Sequence, residues 1–202
     1  MLSKRTQAER VAESDEAVFN AAIALIASEG VSSLSIHKVG KLAGYTSGVV
    51  VHRFKNKSGL MKAVAKKVLD IWDRNLELHA LDSNSAIGDI NTVTTIYLKH
   101  VKRCDNLMLA YFRLMQESHC SCKEIQPEFE EYDLTVRKTL VNLIERGIGM
   151  GEIKASVNAE SFAIAYIGML RGVALQYYIH KREIDLESVG YAINSLCESL
   201  RT

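Results

Sequence analysis

The 202-residue sequence predicts an all-α protein. Apolar residues recur at three- and four-residue spacing along most of the chain, and alternating β-branched runs are scarce. Pro127 is the single proline, so almost nowhere does a residue that breaks helices interrupt that spacing. Capping residues and glycines fall between the periodic runs, where helices should start and stop. Hydrophobic residues at 48% and charged residues at 24% match an ordinary globular chain that can bury a core. The chain has no run of about 20 uncharged apolar residues, and its N-terminus lacks the apolar core of a signal peptide. A cytoplasmic protein is therefore expected, with its four cysteines reduced.

Residues 1–6 read as a short arm. Thr6 and Glu9 have capping-box spacing, which predicts a helix from Gln7. Val11, Val18, Ala22 and Leu25, widened by Phe19, Ile23 and Ile26, give it one apolar face, and Gly30 ends it. Ser35 is a good N-cap for a second helix, with Ile36, Val39 and Leu42/Ala43 as its stripe and Gly44 as its stop. Thr46 or Ser47 caps a third, in which Val50 and Phe54 face inward and Ser47, Val51 and His52 stay outside. The result is a helix-turn-helix at about 35–54 inside a three-helix head, residues 7–55. A connecting helix follows from Asn56 to about His79 (56–79), with Leu60, Val64, Val68 and Ile71 on one face. The body, 80–202, reads as helices at 86–103, 106–119, 127–147, 159–180 and 185–200. Pro127 suits the first position of the third of these. The run G-I-G-M-G at 147–151 permits a sharp reversal, and Asn158 caps the next helix. That helix is apolar nearly all round, so it should be buried on most faces, in a large core or in a subunit interface.

Charge says what the head is for. Between Gly30 and Leu69 the sequence has no Asp or Glu and eight basic residues: Lys38, Lys41, Arg53, Lys55, Lys57, Lys62, Lys66 and Lys67. The whole chain carries 25 basic and 24 acidic residues, which leaves 17 against 24 outside this window. A chain neutral in total is thus a basic segment joined to an acidic body. Such a segment is the footprint of a polyanion, and combined with helix-turn-helix punctuation it points to double-stranded DNA.

The stretch G-V-S-S-L-S-I-H-K-V-G-K-L-A-G-Y-T-S-G-V-V-V-H-R-F-K-N-K-S-G-L-M-K-A, Gly30 to Ala63, resembles the TetR family of bacterial transcriptional regulators. In register are the glycine ending the first helix, the capping serine, the A-G pair at the turn, His-x-Phe and x-Lys-x-x-Leu. The resemblance implies an all-α homodimer, most often a repressor. Two heads would bind a palindromic operator, and a small apolar or amphipathic molecule in the body would release them. It implies DNA contacts at Ser35, His37, Thr46, Ser47, Gly48, Val49, Val51, His52 and Lys57. Hydroxyls, a histidine and a lysine beside a helix N-terminus are sound phosphate ligands. Three positions depart from the family's habit: Val51 stands where tyrosine is common, Lys38 where an acid is common, and Gly40 where alanine is common. Gly40 should cost about 1 kcal/mol of local helix stability relative to alanine. Val51 lacks a donor but can touch a thymine methyl.

Trp72, Tyr97, His100, Tyr111, Met115, Phe129, Tyr132, Tyr166, Met169 and Gln176 are candidates to line the ligand cavity. Taken singly each is better explained by core packing, and it is the resemblance that implies a cavity. For the dimer interface the last two helices offer Tyr166, Met169, Gly172, Leu175, Tyr178, Ile193, Leu196 and Leu200. His119-Cys120-Ser121-Cys122, with Cys104, is the one cluster that invites metal or thiol chemistry, but C-x-C lacks the usual ligand spacing. A thiol- or metal-responsive regulator using Cys120, Cys122 and His119 is the alternative reading, beside a sequence-nonspecific structural DNA binder. G-x-S-x-G, phosphate-loop, G-x-G-x-x-G and H-E-x-x-H motifs are all missing, so neither an enzyme nor a cofactor is expected, and no membrane partner.

Overall fold

The computed structural model describes residues 6–77, 81, 83–103, 105–181 and 183–202. In chain order the helices are α1 (Gln7–Glu29), α2 (Ile36–Ala43), α3 (Ser47–Phe54), α4 (Lys57–Glu77), α5 (Ala86–Arg103), α6 (Asn106–Cys120), α7 (Gln126–Gly149), α8 (Ala159–Ile179) and α9 (Leu186–Glu198). Among the described residues the only β pairing is an isolated bridge between Ile153 and Arg201. The expected all-α class holds, with most boundaries within one or two residues. Pro127 is the second residue of α7 and not the first, because a 3-10 turn at Lys123–Ile125 leads directly into Gln126. The expected end of the connecting helix, His79, lies outside the described residues, as does Cys104.

Packing divides the chain into two compact units. The first takes the residues up to Trp72 together with Asp105–Glu130, and the second takes Asp73–Cys104 with Glu131–Thr202. Helices α4 and α7 run across the division. It cuts differently from the expected parts 7–55, 56–79 and 80–202, since α6 and the first turn of α7 cluster with the head.

In the first unit, α1 packs most extensively against α6 and α2. Ile26, Leu34, Val39, Val50, Leu60 and Val64 are fully buried there, each contributing roughly 1.5–3 kcal/mol by leaving water. The capping box at Thr6 forms as the spacing predicts: the Thr6 hydroxyl accepts from Glu9 N at 3.2 Å, and the Glu9 carboxylate accepts from Thr6 N at 2.7 Å.

In the second unit, α5 packs against α8 and α9, around Ile87, Ile90, Ile144, Ile153 and Tyr166. A Cβ at Gly147 would lie 2.5 Å from Ile153 Cδ1 and 2.9 Å from the Ala86 methyl, so this glycine lets three segments meet. The following turn, which Gly151 enters at φ 72, aims Glu152 at the start of α5. Its carboxylate accepts from Ser85 Oγ at 2.5 Å, Ala86 N at 2.6 Å and Arg201 Nη1 at 2.9 Å. A second ion pair, Asp89 to Arg146, holds α5 to α7 beside it.

Of the two expected surroundings for helix α8, a large core or a subunit interface, the chain's own core accounts for one side only. Within the chain only Ala163, Tyr166, Leu170 and Ala174 are buried. Ile164, Leu175 and Ile179 are exposed, Ile179 by 73%. By length and composition α8 is apolar enough to cross a membrane. It carries Arg171, however, whose guanidinium donates to Asp133 of α7 at 2.7 Å.

Candidate nucleic-acid interface

Local chemistry sets the helix-turn-helix. Ser35 Oγ accepts from Lys38 N at 3.2 Å and opens α2. Gly44, at φ 77 and ψ 22, closes it in the left-handed conformation a C-cap requires. The turn then folds tightly back, with Tyr45 N donating to Gly40 O at 2.8 Å. A Cβ on Gly40 would sit 3.0 Å from the Tyr45 carbonyl oxygen and 3.4 Å from Ser47 N. The departure from alanine therefore has a packing reason: what Gly40 costs in helix propensity lets the turn approach α2 closely. Thr46 stands at the N-cap of α3, without a side-chain capping bond.

Helix α3 is fixed from its inner side. Val50 is fully buried, and the Phe54 ring meets Phe19 of α1 edge-on at 5.7 Å. Arg53 grips Asp15 of α1 through two parallel bonds, Nε to Oδ1 at 2.6 Å and Nη2 to Oδ2 at 2.8 Å. The hydrogen bond and charge of Asp15 raise the Arg53 pKa despite partial desolvation. The junction to α4 is tighter still. Lys55 takes φ 68, Asn56 Oδ1 accepts from Gly59 N at 2.8 Å, and a Cβ at Gly59 would lie 2.1 Å from Phe54 O.

Against this frame, His37, Thr46, Gly48, Val49, Val51, His52 and Lys57 are exposed, and Ser35 and Ser47 are half-buried. Ser47 Oγ lies 3.5 Å from His37 Nδ1, which links α2 to the start of α3. Thr46, Gly48, Val49 and His52 also line a groove of about 400 Å³ against Val11 and Asp15 of α1. Lys57 is the first residue of α4, where a helix N-terminus favours anions.

The acid-free window is less free than its composition implies. Lys38 pairs with Glu29 at 2.9 Å, Arg53 with Asp15, Lys66 with Asp70 at 3.4 Å and Lys67 with Glu16 at 2.9 Å. The acids come from α1 and from just beyond the window. Lys41, Lys55, Lys57 and Lys62 make no such pair among the described residues. The sequence reading missed the Arg53–Asp15 clamp, because its partners are 38 positions apart with no local signal. It also missed Asn56 and Gly59, although their spacing is that of a side-chain cap.

The ligand candidates fall in both units. In the first, Trp72 stacks on Tyr111 at 5.8 Å and Tyr111 meets Phe129 at 6.0 Å, with Met115 half-buried. In the second, Tyr97 and Tyr132 are buried, His100 and Met169 half-buried, and Gln176 exposed. Tyr166 is committed to its own core: its hydroxyl donates to Ile90 O at 2.9 Å and pairs with Thr94 Oγ1 at 2.6 Å. Burial raises its pKa, opposed by the Thr94 bond. Of the dimer candidates, Tyr166 and Ile193 are buried, Leu175 and Leu196 are exposed by 50% and 58%, and Met169, Gly172, Tyr178 and Leu200 are intermediate. Ile164, Ile179 and Tyr191 are exposed apolar side chains that the sequence reading did not single out. Cys120 is exposed and Cys122 half-buried, whereas burial pushes the Cys197 thiol up to about 11. Among the described residues no three His, Cys, Asp or Glu side chains are grouped to hold a metal.

A three-helix head whose second and third helices, with their caps, present hydroxyls, histidines and Lys41 outward is a helix-turn-helix DNA-binding domain. Residues 18–64, which span most of the head and the start of α4, match the model of the bacterial regulatory proteins, tetR family. A fatty acid metabolism regulator protein of Bacillus subtilis (strain 168) is 19% identical over 182 residues, covering 90% of this chain and 92% of the relative. The fold is shared with a TetR transcriptional regulator from Chloroflexus aurantiacus, at TM-score 0.81 and 18% identity over 92% of this chain and 94% of that one. It is shared too with the regulator FadR of Bacillus subtilis in complex with stearoyl-CoA, at TM-score 0.78 and 19% identity over 93% and 100% of the two chains.

Proposed function

We propose that this protein is a homodimeric transcriptional repressor that binds a palindromic operator and is released by a small amphipathic molecule. The observation that carries the reading is the outward face of α2, α3 and the start of α4. There Ser35, His37, Thr46, Ser47, Gly48, Val49, Val51, His52 and Lys57 share one stretch on a rigidly packed three-helix frame. The hydroxyls, histidines and Lys57 would hold phosphates and fix register, while Val49 and Val51 would touch thymine methyls in the major groove. The protein acts by binding, in the cytoplasm, and performs no chemistry of its own.

The effector would be apolar or amphipathic, taken by residues from among Trp72, Tyr97, His100, Tyr111, Met115, Phe129, Tyr132, Tyr166, Met169 and Gln176. A long-chain acyl-CoA is the first class to try, because a similar fold is known with stearoyl-CoA. Helix α4 carries Lys57 at its start and Trp72 four turns later, which supports coupling of ligand occupancy to the head.

Selection from a random-sequence duplex pool, followed by footprinting, tests the reading. Enrichment of one inverted repeat, protected over a single site and released by stearoyl-CoA or another acyl-CoA, is the expected result. Uniform protection along any DNA would instead establish a nonspecific structural binder. Release by an oxidant or by zinc, abolished in a Cys120→Ser, Cys122→Ser double variant, would establish the thiol- or metal-responsive alternative.

A further inference from the structure

Helix α1 ends with Glu29 in its final turn and no basic residue there. Its own sequence therefore leaves the negative end of the helix dipole uncompensated. Compensation comes from other helices. Lys38 of α2 pairs with Glu29, and Arg113 of α6 donates through Nη1 to the carbonyl oxygen of Ile26 at 2.8 Å. That carbonyl also accepts from Gly30 N at 3.0 Å, so the guanidinium takes its second lone pair. Arg113 is half-buried, where a bond from a charged donor to a helix end is stronger than on open surface.

The point it holds is where the chain leaves α1 for the helix-turn-helix. Gly30, at φ 91, is followed by a 3-10 turn over Val31–Ser33, then by fully buried Leu34 and the N-cap Ser35. The same stretch of α6 carries Tyr111, which stacks on Trp72 of α4. One helix thus touches both α1 and α4 within the head's own compact unit.

We infer that Arg113 is a positioning residue for the DNA-reading helices: from α6 it caps α1 and fixes the Gly30–Ser35 turn that sets where α2 and α3 lie. A shift of α6 along this contact exchanges a satisfied helix end for an unsatisfied one, so it is felt first where the reading helices begin. Lysine can keep the charge but offers a point donor in place of the planar fork; it should retain part of the effect, and glutamine little.

The inference rests on the DNA-binding reading, so the full-length protein is examined in two ways. Amide hydrogen exchange on the free wild type, Arg113→Lys and Arg113→Gln needs no DNA. Loss of a helix cap predicts roughly tenfold faster exchange from residue 27 through α3 in Arg113→Gln, with Arg113→Lys in between. Binding to the duplex enriched by the wild type, well below every variant's melting temperature, should weaken by a similar factor in the same order. Faster exchange confined to residues 27–31, with α2 and α3 unchanged, would overturn the inference, because Arg113 would then be a local cap only. So would unchanged DNA affinity in Arg113→Gln. Failure to enrich any duplex would refute the DNA reading, while the exchange pattern would still decide what Arg113 positions.

Discussion

At the scale of single residues, pairing decides what each charge can do. A lysine already bound to a carboxylate releases few counterions when DNA arrives, because its field is largely cancelled. Lys38, Lys66 and Lys67 are in that position, and Arg53 is spent on Asp15. Lys41, Lys55, Lys57 and Lys62 therefore set the salt dependence from this window. With log K falling by about 0.9 per phosphate neutralised, they set a slope of at most about 3.6 per head, half of what eight free charges would give. Salt titrations should find Lys57→Gln lowering the slope by about 0.9 and Lys66→Gln leaving it nearly unchanged. Equal losses in both would mean that the ion pairs open on DNA. Arg53→Gln differs in kind. It removes the clamp on α3, so affinity should drop at every salt concentration without a matching change in slope. Gly59→Ala tests packing: with Phe54 O only 2.1 Å from the new Cβ, the α3–α4 junction must move. Destabilisation of about 1–3 kcal/mol, read from a urea melt, is expected for such overpacking.

At the scale of elements, capping and closure are legible in sequence to very different degrees. Thr6 with Glu9, Ser35, Gly44 and Asn158 all cap as their local spacing predicts, because a cap involves groups only three or four residues apart. The clamp of Arg53 on Asp15 and the closure at Glu152 were illegible, since they join residues tens of positions apart. Glu152 accepts from the Ala86 N–H at the start of α5, where the residue is fully buried, and holds Arg201 near the end of the chain. Desolvation pushes its pKa up, but bonds from Ser85, Ala86 and Ile87 and the charge of Arg201 outweigh this, and the net shift is downward. A carboxylate whose folded pKa lies below its unfolded value stabilises the fold above the unfolded value. That stability is lost as pH falls through the folded one. Melting temperature should therefore decline below about pH 4.3, the ordinary glutamate range. Glu152→Gln should melt lower at neutral pH and show a shallower decline. A variant with the wild-type profile would mean that other carboxylates govern acid unfolding.

At the scale of the whole molecule, an unspent apolar surface is the outstanding fact. Ile164, Gly168, Gly172, Leu175 and Ile179 recur at the three- and four-residue steps of one stripe on α8, and Tyr191 and Leu196 are exposed on α9. Sequence could not separate this stripe from the core side of α8, because both are apolar and the period is the same. The two glycines favour a partner helix over bare surface. A Cβ on either would meet nothing within 4 Å inside the chain, so the chain's own packing gives no reason for the missing side chain. A second helix approaching closely along the stripe would give one, and we propose that a second copy of α8 and α9 is that partner. An obligate interface of this sort buries about 2,000 Å² or more. Leu175→Glu and Leu196→Glu are informative because both positions are exposed in the single chain, so a folded monomer should tolerate the charge. We expect the double variant to keep its helical circular dichroism and run at monomer mass in native mass spectrometry. Two heads joined in a dimer read half-sites about 34–36 Å apart, one duplex turn. Losing the link should weaken binding to a full palindrome by about 10²–10⁴-fold, the usual gain from tethering two sites, while an isolated half-site is bound as before. A double variant that stays dimeric would place the interface elsewhere. One that becomes monomeric yet holds the palindrome as tightly as the wild type would separate dimerisation from operator recognition.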